Sequence, residues 1–114
     1  MLITQPVNVI IENLPNHEQL NPILEADIRS AGDITGGRSA AKCYRTRWDM
    51  HEVYPSFKKL TDGILEVVKR ACGTASDESG NPKDYILRTH DSWGLIYKKG
   101  DITSAHQHYP CLWS

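Results

Sequence analysis

One stretch limits the fold more than any other. Phe57, Leu60, Ile64, Val67, Val68 and Ala71 recur at spacings of three and four. That period places them along one side of a long helix, which must bury this stripe against something else. Lys69 and Arg70 fall in the last turn, where positive charge suits the helix dipole, and Gly73 offers a left-handed cap. Two starts fit the sequence. Asp49 with Glu52 three residues on makes a capping box, whereas Pro55 is itself favoured at a first helical position.

The rest of the chain supplies partners for that stripe. Residues 6–12 read as a strand, because Val7, Val9 and Ile11 alternate with Asn8 and Glu12. Leu14, Pro15 and Asn16 turn the chain. A first helix is expected with Asn21 as N-cap and Pro22 at the first helical position, Ile23, Leu24 and Ile28 on its buried side, and Gly32 as its stop. A loop of small residues follows, running to Tyr44. Residues 73–82 read as a surface loop, residues 85–89 and 93–97 as short strands, and residues 109–113 as a last apolar run. Strands and helices mixed in this order predict an α+β fold, and 114 residues predict a single domain over 1–114.

Composition excludes some roles. Thirteen Lys+Arg against 14 Asp+Glu give a net charge of −1, so no electrostatic footprint for nucleic acid or an anionic membrane is present. No apolar run approaches the roughly 18 residues of a membrane span, and the first residues lack a signal-peptide pattern. Cys43, Cys72 and Cys111 are odd in number and widely spaced, which predicts reduced thiols and a cytoplasmic location.

Several motifs carry possible chemistry. The loop from Gly32 to Ser39 approaches the phosphate-binding pattern, but Arg38 replaces its lysine and the loop follows a helix rather than a strand, so we read an ordinary glycine-rich loop. Asp49, His51 and Glu52 read as helix-cap chemistry. His17 reads as a turn residue, and His90 with Asp91 as a polar turn. The strongest constellation is His106-Gln107-His108. On a strand, residues i and i+2 project from one face, so both imidazoles can converge on one metal. Neutral imidazole suits iron, zinc, copper and nickel, and Cys111 adds a soft ligand that would favour zinc.

The run Tyr97-x-x-Gly100-Asp101-x-Thr103-x-x-His106-x-His108 resembles the first metal-ligand strand of the Fe(II)/2-oxoglutarate-dependent oxygenases. It is most similar to a subgroup from bacteria and bacteriophages with Trp-x-x-x-Tyr ahead of the glycine, here Trp93 and Tyr97. In that subgroup H-x-H is followed by proline and a Trp-Ser or Leu-Ser pair, here Pro110, Trp113 and Ser114. The resemblance implies a double-stranded β-helix (a jelly-roll or cupin-like fold), iron held by His106 and His108, and a contact from the Tyr97 hydroxyl to 2-oxoglutarate. It implies oxidative decarboxylation of 2-oxoglutarate coupled to hydroxylation of a substrate C–H bond. Residue 108 departs from the wider family, where a carboxylate stands. A neutral ligand there calls for a nearby compensating carboxylate, with Asp101 and Asp91 as candidates.

The family's third ligand and its basic anchor for the co-substrate come from strands further on. No His, Arg or Lys follows His108. We therefore expect these residues to be the N-terminal helices and first strands of a longer oxygenase domain. An open strand edge would then favour pairing with another copy of the chain. The alternative expectation is a non-catalytic α+β binding or assembly module, with zinc held by His106, His108 and Cys111.

Overall fold

The computed structural model describes residues 9–34, 40–72, 79–80 and 86–108. Among them the order is α1 (His17–Ser30), β1 (Ala41–Lys42), β2 (Tyr44–Arg45), α2 (Met50–Val53), α3 (Pro55–Cys72), β3 (Leu95–Ile96) and β4 (Ile102–Thr103). The fold is mixed α plus β, as expected. The described residues form helices and small antiparallel sheets.

Helix α1 begins a turn earlier than its sequence suggests. Asn16, not Asn21, occupies the N-cap position, and Pro22 lies inside the helix. An interior proline removes one backbone bond and costs about 3 kcal/mol. The earlier start turns Leu20 onto the same face as Leu24, and both are buried. Burying a leucine contributes about 1.5–3 kcal/mol, enough to offset most of that cost. Ile23, expected on the buried side, points away and is 52% exposed. The end matches expectation: the Ala31 N–H bonds the Asp27 carbonyl, and Gly32 takes a positive φ of 87°.

Helix α3 starts at Pro55. Tyr54 is extended, at φ −111° and ψ 121°, as the residue before a proline must be, so α2 remains a separate turn. The expected capping box is not formed: the Asp49 side chain makes no cap bond and is engaged by Arg47 instead. Ser92 caps α2 from across the chain, its Oγ accepting the His51 N–H at 2.8 Å and its carbonyl the Met50 N–H at 3.1 Å. The apolar stripe of α3 is only partly covered. Phe57 and Val68 are buried, Leu60 is half-buried, and Ile64 is exposed. The core joins Leu20 and Leu24 of α1 with Met50 and Phe57, and Ile28, Ala31, Tyr54 and Leu60 pack around it.

Among the described residues the β structure is two short two-stranded sheets, β1 with β4 and β2 with β3, that follow one another as a ribbon. Ala41 and Lys42 pair with Thr103 and Ile102, and Tyr44 and Arg45 with Ile96 and Leu95, all antiparallel. Further backbone bonds extend it at both ends, Ser104 N–H to the Ala40 carbonyl (2.8 Å) and Thr46 N–H to the Gly94 carbonyl (3.0 Å). Only Cys43 separates β1 from β2, whereas the opposite strand loops out over residues 97–101. That turn closes with Asp101 N–H on the Lys98 carbonyl (2.9 Å), and its third residue, Gly100, sits at φ 93°. Helix α1 lies on the ribbon through Tyr44, whose hydroxyl donates to the Ile28 carbonyl at 2.6 Å.

Two expected strands are not formed where they can be seen. Residues 9–12 are outside any sheet, with Val9 75% and Ile11 94% exposed, and residues 86–89 likewise, with Ile86 97% exposed. Alternation alone does not make a strand without a neighbour to pair with. Residues 6–8, 85 and the apolar run 109–113 lie outside the described residues. Among the described residues no helix is long and apolar enough to cross a membrane.

Candidate functional site

His106 and His108 follow β4 in chain segments that carry no strand pairing, contrary to the expected strand. Their rings nevertheless converge. The two Nε2 atoms stand 3.0 Å apart, with ring centroids at 4.9 Å and planes at 45°. The His106 Nδ1 lies 2.8 Å from the Ser104 carbonyl oxygen. A carbonyl only accepts, so this Nδ1 carries a proton, and in the neutral form of the ring that leaves the Nε2 lone pair facing His108. A backbone carbonyl fixing the far nitrogen is the usual means of orienting a metal-ligating histidine.

The spacing can be compared with what a metal would ask. Two imidazole nitrogens about 2.1 Å from one ion, at right angles, are separated by about 3.0 Å. The pair therefore fits two neighbouring positions of an octahedral ion. Both histidines are exposed, and among the described residues no group of three or more His, Cys, Asp or Glu side chains gathers to complete a metal site. Asp101 accepts the Lys98 N–H at 2.7 Å inside the turn, and Asp91 pairs with His90 Nδ1 at 3.0 Å. Both carboxylates expected to compensate His108 thus have local partners. Cys111, Pro110, Trp113 and Ser114 lie outside the described residues.

Tyr97 is half-exposed, and its hydroxyl meets the Thr103 Oγ1 across the turn. It stands at one end of an open groove of about 380 Å³ between α1 and β3, lined also by Leu24, Glu25, Ile28, Arg29 and Ile96. Neither histidine lines this groove. Tyr97, joined to the histidine pair in the sequence motif, lines a groove that the pair does not.

An aromatic row leads away from the histidines. Trp93 meets His108 edge-on at 6.1 Å, Trp48 packs against Trp93 at 4.6 Å, and the Arg45 guanidinium lies over Trp48 at 4.7 Å. Trp93 belongs to the sequence motif. Trp48 and Arg45 come from the opposite strand, and nothing local in the sequence marks them. Sequence reading also missed His51, taken as cap chemistry: its Nδ1 lies 2.6 Å from the Ser92 Oγ, a contact 41 residues apart in the chain. Beside it, the Arg47 guanidinium hydrogen-bonds Asp49 and holds that carboxyl below its ordinary value, while Asp49 raises Arg47. The part of the glycine-rich loop that is described, residues 32–34, is tied to β2, with Ile34 N–H on the Arg45 carbonyl at 2.6 Å.

No protein-family model, curated protein or solved structure matches the chain.

Proposed function

We propose that this chain belongs to a cytoplasmic Fe(II)- and 2-oxoglutarate-dependent dioxygenase in which His106 and His108 hold the iron. The observation that carries the reading is the facing pair of Nε2 atoms at 3.0 Å. Ser104 supports it by holding the His106 ring in the tautomer that ligation needs. His108 must present its own Nε2 lone pair, so ligation shifts its proton to Nδ1 or to solvent. When bound, the iron would supply oxygen activation coupled to decarboxylation of 2-oxoglutarate. Tyr97 would reach the co-substrate by giving up its bond to Thr103, and the remaining ligand would come from residues other than those described. A buried free thiol at Cys43 fits a reducing compartment. Pairing with a second copy of the chain through this short ribbon is part of the same proposal.

The test is an anaerobic titration with Fe(II), with and without 2-oxoglutarate, reading the visible charge-transfer band of the chelated keto acid. The band is expected in the native chain and lost in His106→Ala, with the far-UV circular dichroism unchanged. Absence of iron binding in the native chain refutes the reading. Tight zinc binding that disappears in Cys111→Ser would instead favour a zinc-holding assembly module.

A further inference from the structure

Arg45 is 3% exposed, yet most of its guanidinium has nothing to bond. Nη2 donates to the Ile34 carbonyl at 2.9 Å, while Nε and Nη1 are buried without a hydrogen-bond partner. None of the ion pairs among the described residues involves Arg45. Asp33 gives its Oδ1 to the Arg45 backbone N–H at 3.2 Å. One carbonyl and the face of Trp48 are poor compensation for a guanidinium taken out of water. Buried polar groups left unpaired in this way mark a place where a partner belongs.

We infer that Arg45 is the anchor of a binding site for a carboxylate. The Arg45 Cζ lies over the Trp48 ring at 4.7 Å, and the unused Nε and Nη1 donors lie in the guanidinium plane. A planar, singly charged carboxylate meets such donors edge to edge and neutralises the one buried charge. Trp48 is also the way in. Its ring lies over the guanidinium but is itself 39% exposed, so swinging it aside opens Arg45 to solvent. The body of a bound carboxylate compound would then lie along Trp48 and Trp93 toward His108. That this compound is the enzyme's primary substrate rests on the proposed iron site; the carboxylate anchor itself does not.

The experiment uses the whole chain, ¹⁵N-labelled, without iron or 2-oxoglutarate, titrated with benzoate at constant ionic strength. The Arg45 Nε–H resonance and the tryptophan emission are followed together. We expect a saturable downfield shift of that resonance with a matching change in emission, and neither with benzamide or sulfate. Arg45→Lys, which keeps the charge but loses the planar fork, is expected to weaken benzoate binding by about tenfold or more. No saturable shift, or an equal shift with sulfate, overturns the proposal. If Arg45→Lys does not fold, the native resonance still decides the matter. Because no iron is present, a failed iron titration and a failed benzoate titration are separate results.

Discussion

Gly94→Ala should loosen the seat of α1 on the ribbon, and the structure says by how much. A Cβ built on Gly94 would lie 2.5 Å from the Ile28 Cγ1 and 2.9 Å from both its Cδ1 and its Cγ2. Two of the three are the γ carbons on the branched Cβ, so clearing them takes Ile28 out of its present χ1 rotamer or moves α1. Gly94 is also pinned by its backbone, which bonds Thr46 through both N–H (2.9 Å) and carbonyl (3.0 Å). Its φ is not positive, so alanine is free of backbone strain and lowers the entropy of the unfolded chain, a gain of about 0.4–1 kcal/mol. Overpacking costs about 1–3 kcal/mol and outweighs that gain. The net is a loss of up to about 2.6 kcal/mol, with a fall in Tm of about 4 °C per kcal/mol. Urea unfolding of the native chain, Gly94→Ala, Ile28→Ala and the double variant tests the cause. Ile28→Ala removes all three clashing atoms, so Gly94→Ala should cost nothing further in that background. An equal cost in both backgrounds would refute steric conflict as the reason.

Other substitutions probe separate joints. Met50 is fully buried at the centre of the core, and Met50→Ala is expected to cost about 2–5 kcal/mol in urea unfolding. Gly100→Ala forces a left-handed conformation on a residue with a Cβ and should cost about 1–2 kcal/mol, read by the same assay. In Arg47→Ala the Asp49 carboxyl should titrate closer to its ordinary 3.8, followed by carboxyl carbon NMR. The sign follows from the depressed folded value: this pair's contribution is present above the ordinary carboxylate pKa and is lost as pH falls through the folded one. An unmoved Asp49 midpoint would show that Arg47 is not the cause.

What the sequence discloses about this molecule is what neighbouring residues decide among themselves. The α3 stripe is local, so its period and its start at Pro55 can be read directly, though not that Ile64 would stay uncovered. The start of α1 is not local. Pro22 looks like a first helical residue, but burial of Leu20 against Met50 and Phe57 overrides that preference. The ribbon is half legible: residues 93–97 read as a strand, while Ala41, Lys42 and Tyr44, which pair with 103, 102 and 96, fall in a stretch read as a loop running to Tyr44. Strands of two residues carry almost no signal of their own and exist through bonds spanning some 50 residues or more. The candidate site divides the same way. That His106 and His108 can meet follows from their i, i+2 spacing. That Ser104 would orient one of them, or that Arg45 would be buried under Trp48, follows only from the folded chain.

Three consecutive residues show how closely stability and site are joined. Ser92 caps α2 through the His51 N–H, Trp93 bridges Trp48 and His108, and Gly94 admits Ile28 of α1. Each faces a different neighbour, and the backbone bonds of 92 and 94 to residues 46, 48 and 50 fix the segment in place. A change at either flank must therefore also move Trp93. Ser92→Ala removes the acceptor for the His51 N–H and the partner of the His51 ring. Loss of such a cap costs about 1 kcal/mol. If the aromatic row is held from this strand, Ser92→Ala should also shift the indole N–H resonances of Trp48 and Trp93 and the ring resonances of His108. A loss of stability with those resonances unmoved would show that cap and row are independent, and that the histidine pair is positioned from β4 alone.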